Sequence, residues 1–416
     1  MRVLIASDLY WPTINGVSTF VRNLAEGLTA AGHDVLVVTP SQTGAHHEET
    51  DGNHRVARMR SRVFRPYQNL PISVFPRREM AKLVREFEPD IIHVQSPLGI
   101  GLGAVRVAKR CGVPLIATNH AMSENLLDNV RLLAPVARPL DAPLRRYGEW
   151  FYAHALHVTL PTQTAIDMLK SGDFRRPTSA ISNGIDVSRF SPGDPRKGLH
   201  ERFGIPALVP VVLYVGRLDV EKHLHVLVRA VSLLREGHAF HVVMVGYGVD
   251  RVRLERLADT LGVRDRVTFT GRIEEEDKPD FFRLATVFAI PSPAELQSIS
   301  TLEAMASGLP VAAVDAGALG ELCEDGHNGV LFDLDDAEGL ARGLARILGD
   351  PELAGQMGAA SLEIASRHDL KETIRQYAGL YERTVSDSAG ALSAPAVTQR
   401  VRNRLIAWAA SRGVSR

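Results

Sequence analysis

Cysteine is scarce in this sequence. Only Cys111 and Cys323 occur, far apart in the chain, and no disulfide framework or metal-ligand spacing is visible. No run of about 18 apolar residues is present, the length a membrane-spanning helix needs. The opening MRVLIASD reads as a strand rather than as a signal peptide with a long apolar segment and a small-residue cleavage site. Together these absences favour the cytoplasm. Net charge is also missing, because 48 Lys+Arg balance 48 Asp+Glu. Aromatic residues make up 6% of the chain. No aromatic platform is interleaved with basic residues, so nothing supports nucleic-acid binding beyond an uneven charge distribution.

That unevenness is substantial. Residues 1–190 carry 22 Lys+Arg against 17 Asp+Glu, residues 191–385 carry 21 against 30, and residues 386–416 carry 5 against 1. Either a basic N-terminal face meets something anionic, or these are scattered solvated charges. The 416 residues are too many for one ordinary core, and 45% apolar with 23% charged residues is ordinary globular composition. Two domains follow as the expectation.

Short apolar β-branched runs alternate with helical periods throughout. In the first half, Val3–Ala6, Val35–Thr39, Ile91–Val94, Leu115–Thr118 and His157–Leu160 are almost continuously apolar. That is the pattern of strands buried on both faces of a parallel sheet. The second half repeats it with Val211–Val215, His241–Val245, Val267–Thr270, Val287–Ile290, Pro310–Val314 and Gly329–Phe332. Two βα series in tandem predict an α/β chain of two doubly wound, Rossmann-like domains. The Gly-, Pro- and Asp-rich stretch Asn183–Arg196 fits the linker between residues 1–190 and the second domain. In such sheets ligands bind beyond the carboxyl ends of strands, so the cleft between the domains is the default site.

After Val385 the composition changes. Val385–Ala396 reads as a flexible linker, and Val397–Arg412 places Val397, Val401, Leu405 and Trp408 on one helical face beside Arg400, Arg402, Arg404 and Arg412. Such a basic amphipathic helix lies on an anionic membrane or packs on protein.

The candidate chemistry sits at strand ends. In PSPAELQSISTLEAMASGLP, Glu295 falls at a strand-to-helix turn and Glu303 eight residues later in the helix. The N–H groups of Gln297 to Ser300 would open that helix, where the dipole attracts phosphate. Carboxylates at both ends can accept hydrogen bonds from sugar hydroxyls. Spacing alone equally describes two surface glutamates. In VGRLDVEKH, Arg217 and Lys222 cross another strand-to-helix turn, a pairing suited to a diphosphate. Gly246 and Gly248 follow a further strand, where small residues permit close backbone approach to a ligand. In the first half, Asn15-Gly16 would open a helix facing the cleft. Thr118-Asn119-His120 ends a strand, where a histidine can bond a sugar hydroxyl or a developing charge.

Taken together, DLYWPTINGVSTFVRNLAEGL, GHDV, PDIIHVQSP, TNH, NGID, VGRLDVEK, VGYG, FTGRI and ELQSISTLEAMASGLPVAA resemble, in this order, the family 4 retaining glycosyltransferases of GT-B fold. The resemblance covers nearly all of residues 1–385. It implies two Rossmann-like domains facing across a cleft, with residues 1–190 for the acceptor and 191–367 for the donor. A crossover helix at 368–385 would return toward the first domain, followed by a linker and tail at 386–416. It implies that Glu295 holds donor-sugar hydroxyls and Glu303 the ribose. Arg217 and Lys222 would neutralise the diphosphate, with Gly16, Gly246, Ser298 and Ile299 beside it. Arg272 and Ile273 would frame the base, and His120 would stand near the transferred sugar. In such enzymes the leaving diphosphate helps deprotonate the acceptor on the same face, so no acid–nucleophile carboxylate pair is required. A nucleotide-diphosphate sugar, UDP-glucose or GDP-mannose, is the implied donor. No permanently bound cofactor and no obligatory metal are implied. Asp333-Leu-Asp335 reads as a helix start rather than a metal motif. One departure stands out: Leu296-Gln297-Ser298 replaces the family's usual Phe-Gly after the first glutamate, which narrows the expected sugar pocket.

For the acceptor, Thr118–Leu127 resembles the corresponding loop of diacylglycerol glycosyltransferases. Arg58, Arg60, Arg62 and Arg65, with Arg77, Arg78, Lys82 and Arg85, give the N-terminal half a basic cluster suited to anionic lipid. The expected acceptor is diacylglycerol, a glycosylated diacylglycerol or a phosphatidylinositol-type lipid, with the enzyme peripheral to the inner face of the cell membrane. A soluble or polysaccharide acceptor and a non-catalytic nucleotide-sugar binder are the alternatives. A phosphorylase would need a buried cofactor lysine that is not evident.

Overall fold

The computed structural model describes residues 1–13, 15–64, 70–73, 76–120, 137–172, 174–196 and 198–393. The resembling loop beyond His120, Arg65 and the tail Val397–Arg412 lie outside those residues.

Two parallel sheets organise the chain. The first has β1 (Arg2–Ala6), β2 (Asp34–Pro40), β3 (His47–Asp51), β4 (His54–Met59), β7 (Ile91–Val94), β8 (Leu115–Thr118), β9 (His157–Leu160) and β10 (Thr178–Ala180). Their order is β10-β9-β8-β7-β1-β2-β4-β3, and only β3 runs antiparallel to its neighbour. β5 (Arg62–Phe64) and β6 (Leu70–Ile72) form a separate two-stranded ribbon. The second sheet has β11 (Val211–Val215), β12 (His241–Val245), β13 (Val267–Gly271), β14 (Val287–Ile290), β15 (Val311–Val314) and β16 (Gly329–Phe332). Its order, β13-β12-β11-β14-β15-β16, is the doubly wound one, and its switch point lies between β11 and β14. Apolar clusters fill both faces of the first sheet, and a third surrounds the second sheet. This is why the parallel strands read as unbroken apolar runs.

The helix Gly16–Ala30 begins where Asn15 and Ser18 form a reciprocal capping box. Asp8 lies beyond the end of β1 and is buried. Its carboxylate accepts from the N–H groups of Ile100 (2.8 Å) and Gly101 (3.2 Å) and from Ser96 Oγ (2.7 Å). It therefore caps the helix Gly99–Cys111. Burial raises its pKa, and these hydrogen bonds oppose the rise.

Two expectations need correction. Arg58 does not belong to an exposed basic surface. It lies on β4, is 5% exposed, donates to Glu49 Oε1 at 2.7 Å and sits over the Tyr10 ring. A charge paired this way has no field to offer a membrane. Val385–Ser393 is not a loose linker, because the helix Leu370–Ser393 runs through it. Thr384 and Ser388 bond back to the carbonyls of Leu380 and Thr384, and Pro395 is the first residue there that forbids helix.

That last helix returns to the first sheet. The N–H of Ile185 donates to His368 O (2.8 Å) and that of Leu370 to Ile185 O (2.9 Å), so the chain's two crossings between sheets lie side by side. Ile374, Tyr377, Leu380 and Tyr381 then join the cluster formed by β1 and the helix Gly16–Ala30. Tyr381 OH bonds His93 Nδ1 at 2.8 Å, and His93 Nε2 bonds Thr118 Oγ1 at 2.6 Å. Tyr377 OH reaches Thr159 at 3.1 Å. The network is fully buried and completes the polar groups of β7, β8 and β9. Tyr377→Ala is expected to cost about 3–5 kcal/mol, as for other buried aromatic truncations, while Tyr377→Phe costs about 1 kcal/mol. Thermal melts followed by circular dichroism measure both, and an unchanged melt for Tyr377→Ala would refute the packing role given to this helix.

Candidate active site

The loops after β11 and β14 meet at the switch point. Lys222 closes a short 3-10 turn, Val220–Lys222, and its Nζ donates to Glu295 Oε1 at 2.8 Å and to Ser292 Oγ at 3.4 Å. Arg217 pairs with Asp219 and, at 2.5 Å, with Glu221 Oε1. The two carboxylates are almost wholly buried and hold the guanidinium in place. One cation–carboxylate pair and one braced arginine thus stand together at the carboxyl edge of the sheet.

Glu295 is fixed through its backbone. Its carbonyl accepts from Ala318 N at 2.9 Å. Gly317 makes this approach possible: at φ +58 its Cβ would lie 2.7 Å from Glu295 O and 2.8 Å from Pro293 O. Ser298 then caps the helix Ile299–Ala306 by accepting from Thr301 N at 3.2 Å. The Leu-Gln-Ser departure from the family pattern thus supplies a cap. Leu296 is buried in the first domain's core cluster, and its carbonyl accepts from Thr162 Oγ1 at 2.8 Å. Gln297 Oε1 accepts from Asn183 N at 2.7 Å and from Ser182 Oγ at 3.2 Å.

Glu303 is 3% exposed on that helix. Burial raises its pKa, opposed by Lys278, whose Nζ donates to Oε1 at 2.6 Å. Its Oε2 is buried without a partner, as are Gln297 Nε2 and Thr301 Oγ1 of the same unit. Buried polar atoms rarely go unpaired, and three on one loop-helix unit suit hydroxyl and phosphate partners of a ligand.

The first domain supplies the opposite wall. A Cβ at Gly16 would lie 3.8 Å from Ile299 Cδ1, so the openings of two helices face each other across the cleft. The first residues of both helices lie close together, and helix N-termini favour an anion nearby. His120 follows β8, its ring 4.9 Å from that of Phe20, and its Nε2 bonds Gln95 Oε1 at 2.7 Å. Burial pushes its pKa down to about 3. His120 is therefore a neutral imidazole at physiological pH, suited to hydrogen bonding rather than to carrying charge.

The remaining expected residues divide. Arg272 is exposed and Ile273 half-buried just past β13. Gly246 serves contact between loops: a Cβ there would lie 1.9 Å from Gly216 O. Its need for glycine is accounted for by that backbone. Arg60, Arg62, Arg77 and Arg78 are exposed on the first domain. Lys278 was not singled out in the sequence, and Gln297 entered there only through its backbone N–H and as part of the Leu-Gln-Ser departure. Lys278 opens the helix Lys278–Leu284 within EEEDKPD, where it looks like one more solvated charge.

The chain resembles known glycosyltransferases in sequence and in fold. A profile described as Glycosyltransferase Family 4 matches residues 14–189, and one described as Glycosyl transferases group 1 matches residues 196–363. A GDP-mannose-dependent alpha-mannosyltransferase of Mycolicibacterium smegmatis is 31% identical over 346 residues, covering 81% of this chain and 86% of that protein. An alpha-monoglucosyldiacylglycerol synthase of Acholeplasma laidlawii is 27% identical over 385 residues, covering 89% and 94%. Sucrose-phosphate synthase from Thermosynechococcus elongatus superposes with a TM-score of 0.79 at 23% identity, covering 93% and 99%, and shares the GT-B fold.

The histidines carry a pH signature. Burial lowers the pKa of both His93 and His120 from 6.5, that of His120 to about 3. The unfolded chain binds more protons than the folded one in that window. Stability is therefore full above about pH 6.5 and falls as pH drops below it, by up to about 1.4 kcal/mol per pH unit for each group. Melting temperatures from pH 7.5 to 5 should decline, and the decline should be shallower in His120→Asn. Identical slopes would contradict the neutral buried imidazole.

Proposed function

We propose that this chain, which belongs to the family 4 glycosyltransferases, moves a hexosyl group with retained configuration from UDP-glucose or GDP-mannose to a lipid hydroxyl. The observation that carries the reading is the set of unpartnered buried atoms on Gln297, Thr301 and Glu303 beside the Lys222–Glu295 pair. In this reading Glu303 Oε2 accepts from the ribose while Lys278 holds Oε1. Arg217 and Lys222 take the diphosphate, and Lys222 exchanges Glu295 for phosphate oxygen as Glu295 turns to the sugar hydroxyls. The opening of the Ile299–Ala306 helix and Gly16 flank the same phosphates. Neutral His120 bonds a hydroxyl of the transferred sugar. The acceptor proton passes to the leaving diphosphate oxygen on the same face, the new glycosidic bond forms as the sugar–phosphate bond breaks, and the protein contributes positioning and charge stabilisation. GDP-mannose is named for the mannosyltransferase that the chain resembles, and the name of the glucosyldiacylglycerol synthase supports a glucosyl donor.

The lipid acceptor, of diacylglycerol, glycosylated diacylglycerol or phosphatidylinositol type, has its own support. On β5, Val63 is 54% and Phe64 43% exposed beside exposed Arg62, with Arg60, Arg77 and Arg78 also exposed on this domain. Apolar side chains among arginines suit the interface of an anionic membrane.

Glu303→Ala and Lys222→Ala are each expected to cut transfer at least about tenfold, the loss of one charged contact, with circular dichroism unchanged. Near-wild-type turnover in both would overturn the donor-site assignment. Co-sedimentation with phosphatidylglycerol vesicles should fall in the double variant Val63→Asp, Phe64→Asp. Equal binding by that variant would remove β5 from the membrane surface, and absence of wild-type binding would favour a soluble acceptor.

A further inference from the structure

Beside the donor loops lies a cluster that the transfer reaction does not use. His223 directly follows Lys222, His225 lies in the first turn of the helix Leu224–Leu234, and Asp335 stands between β16 and the helix Ala337–Gly349. His223 Nδ1 is 2.8 Å from Asp335 Oδ1, and His225 Nε2 is 3.5 Å from the same oxygen. One ligand-capable atom from each of the three lies within 4.8 Å of the others. We propose that His223, His225 and Asp335 form a zinc site that ties the loop after β11 to the loop after β16.

The chemistry favours that ion. Two imidazole nitrogens and one carboxylate oxygen are borderline ligands suited to zinc, and they leave a fourth tetrahedral position for water. Bonds of about 2.0–2.1 Å place tetrahedral ligand atoms about 3.3 Å apart, and the two distances to Asp335 straddle that value. His225 Nδ1 is buried without a partner, so Nε2, on the Asp335 side, is the nitrogen this ring has to offer. Arg253 and Arg229 are the adverse charges close by, and the Arg253 guanidinium is bidentate on Asp250 at 2.6 and 2.7 Å. His223 and Asp335 both have left-handed backbones, at φ 47 and φ 61.

The site is structural, and no step of sugar transfer passes through it. His223 ends the 3-10 turn that carries Lys222, so zinc would stiffen the turn on which the diphosphate contact depends.

The test is calorimetric titration of Zn2+ into the full chain after treatment with chelator, with Mg2+ as the oxygen-preferring control. His223→Asn and Asp335→Asn are suitable variants because asparagine tolerates a left-handed backbone. His225→Ala is the third. The expected result is one saturable Zn2+ event in the wild type and none with Mg2+. Each variant should weaken it by at least about tenfold, as loss of even an outer-shell partner does at metal sites. Circular dichroism verifies that the variants are folded. Zinc X-ray absorption of the wild type should show two imidazoles. No Zn2+ event, an event unchanged in all three variants, or absorption lacking imidazole would overturn the site.

Discussion

The anchoring of Leu296 and Gln297 in the first domain is the constraint on which the site depends. These two residues lie between Glu295 and the helix that carries Glu303. Leu296 buries its side chain in the other domain's core, and Gln297 accepts from the chain that leads out of that domain. Two atoms of the loop after β14 are thus held by the first domain: Leu296 O by Thr162 and Gln297 Oε1 by Asn183. Gly317 holds the same loop from behind. Catalysis by positioning depends on this kind of two-sided registration.

Charge is arranged with the same economy. Three cations around the loops after β11 and β14 are braced by carboxylates: Arg217 by Asp219 and Glu221, Lys222 by Glu295, Lys278 by Glu303. Pairing removes the cost of isolated buried charge and sets the side chains in a defined geometry. Glu303 retains part of that cost, because one of its oxygens has no protein partner and burial raises its pKa. Such a residue disfavours the folded state slightly while favouring a bound hydroxyl donor, a common compromise at functional sites.

Much of this was legible in the sequence, for reasons that also explain the misses. Ile91–Val94, Leu115–Thr118 and His157–Leu160 were readable because both faces of a central parallel strand are buried, which leaves an unbroken apolar run. β3, with sequence HEETD, was not, because an exposed edge strand has no apolar requirement. Its partner β4 carries Arg58, whose burial rests on Glu49 and Tyr10 and has no local signature. Glu295 and Lys222 stood out as charges at strand ends. Lys278 did not, because its partner Glu303 is 25 residues away and only the packing of two helices unites them. Gln297 registered as a departure from a family pattern, and its role became visible only once Asn183 lay beside it.

The return of the final helix has a consequence for how the molecule comes into being. A ribosome delivers the first sheet early, yet Tyr381, the partner of His93 Nδ1, and the side chains of Ile374, Tyr377 and Leu380 that cover that face are translated after the whole second sheet. Domains ordinarily mature in the order of their synthesis. Here the part made first must wait, with a histidine and an apolar face uncovered, until the part made last arrives. The N-terminal half is thus the last to finish folding.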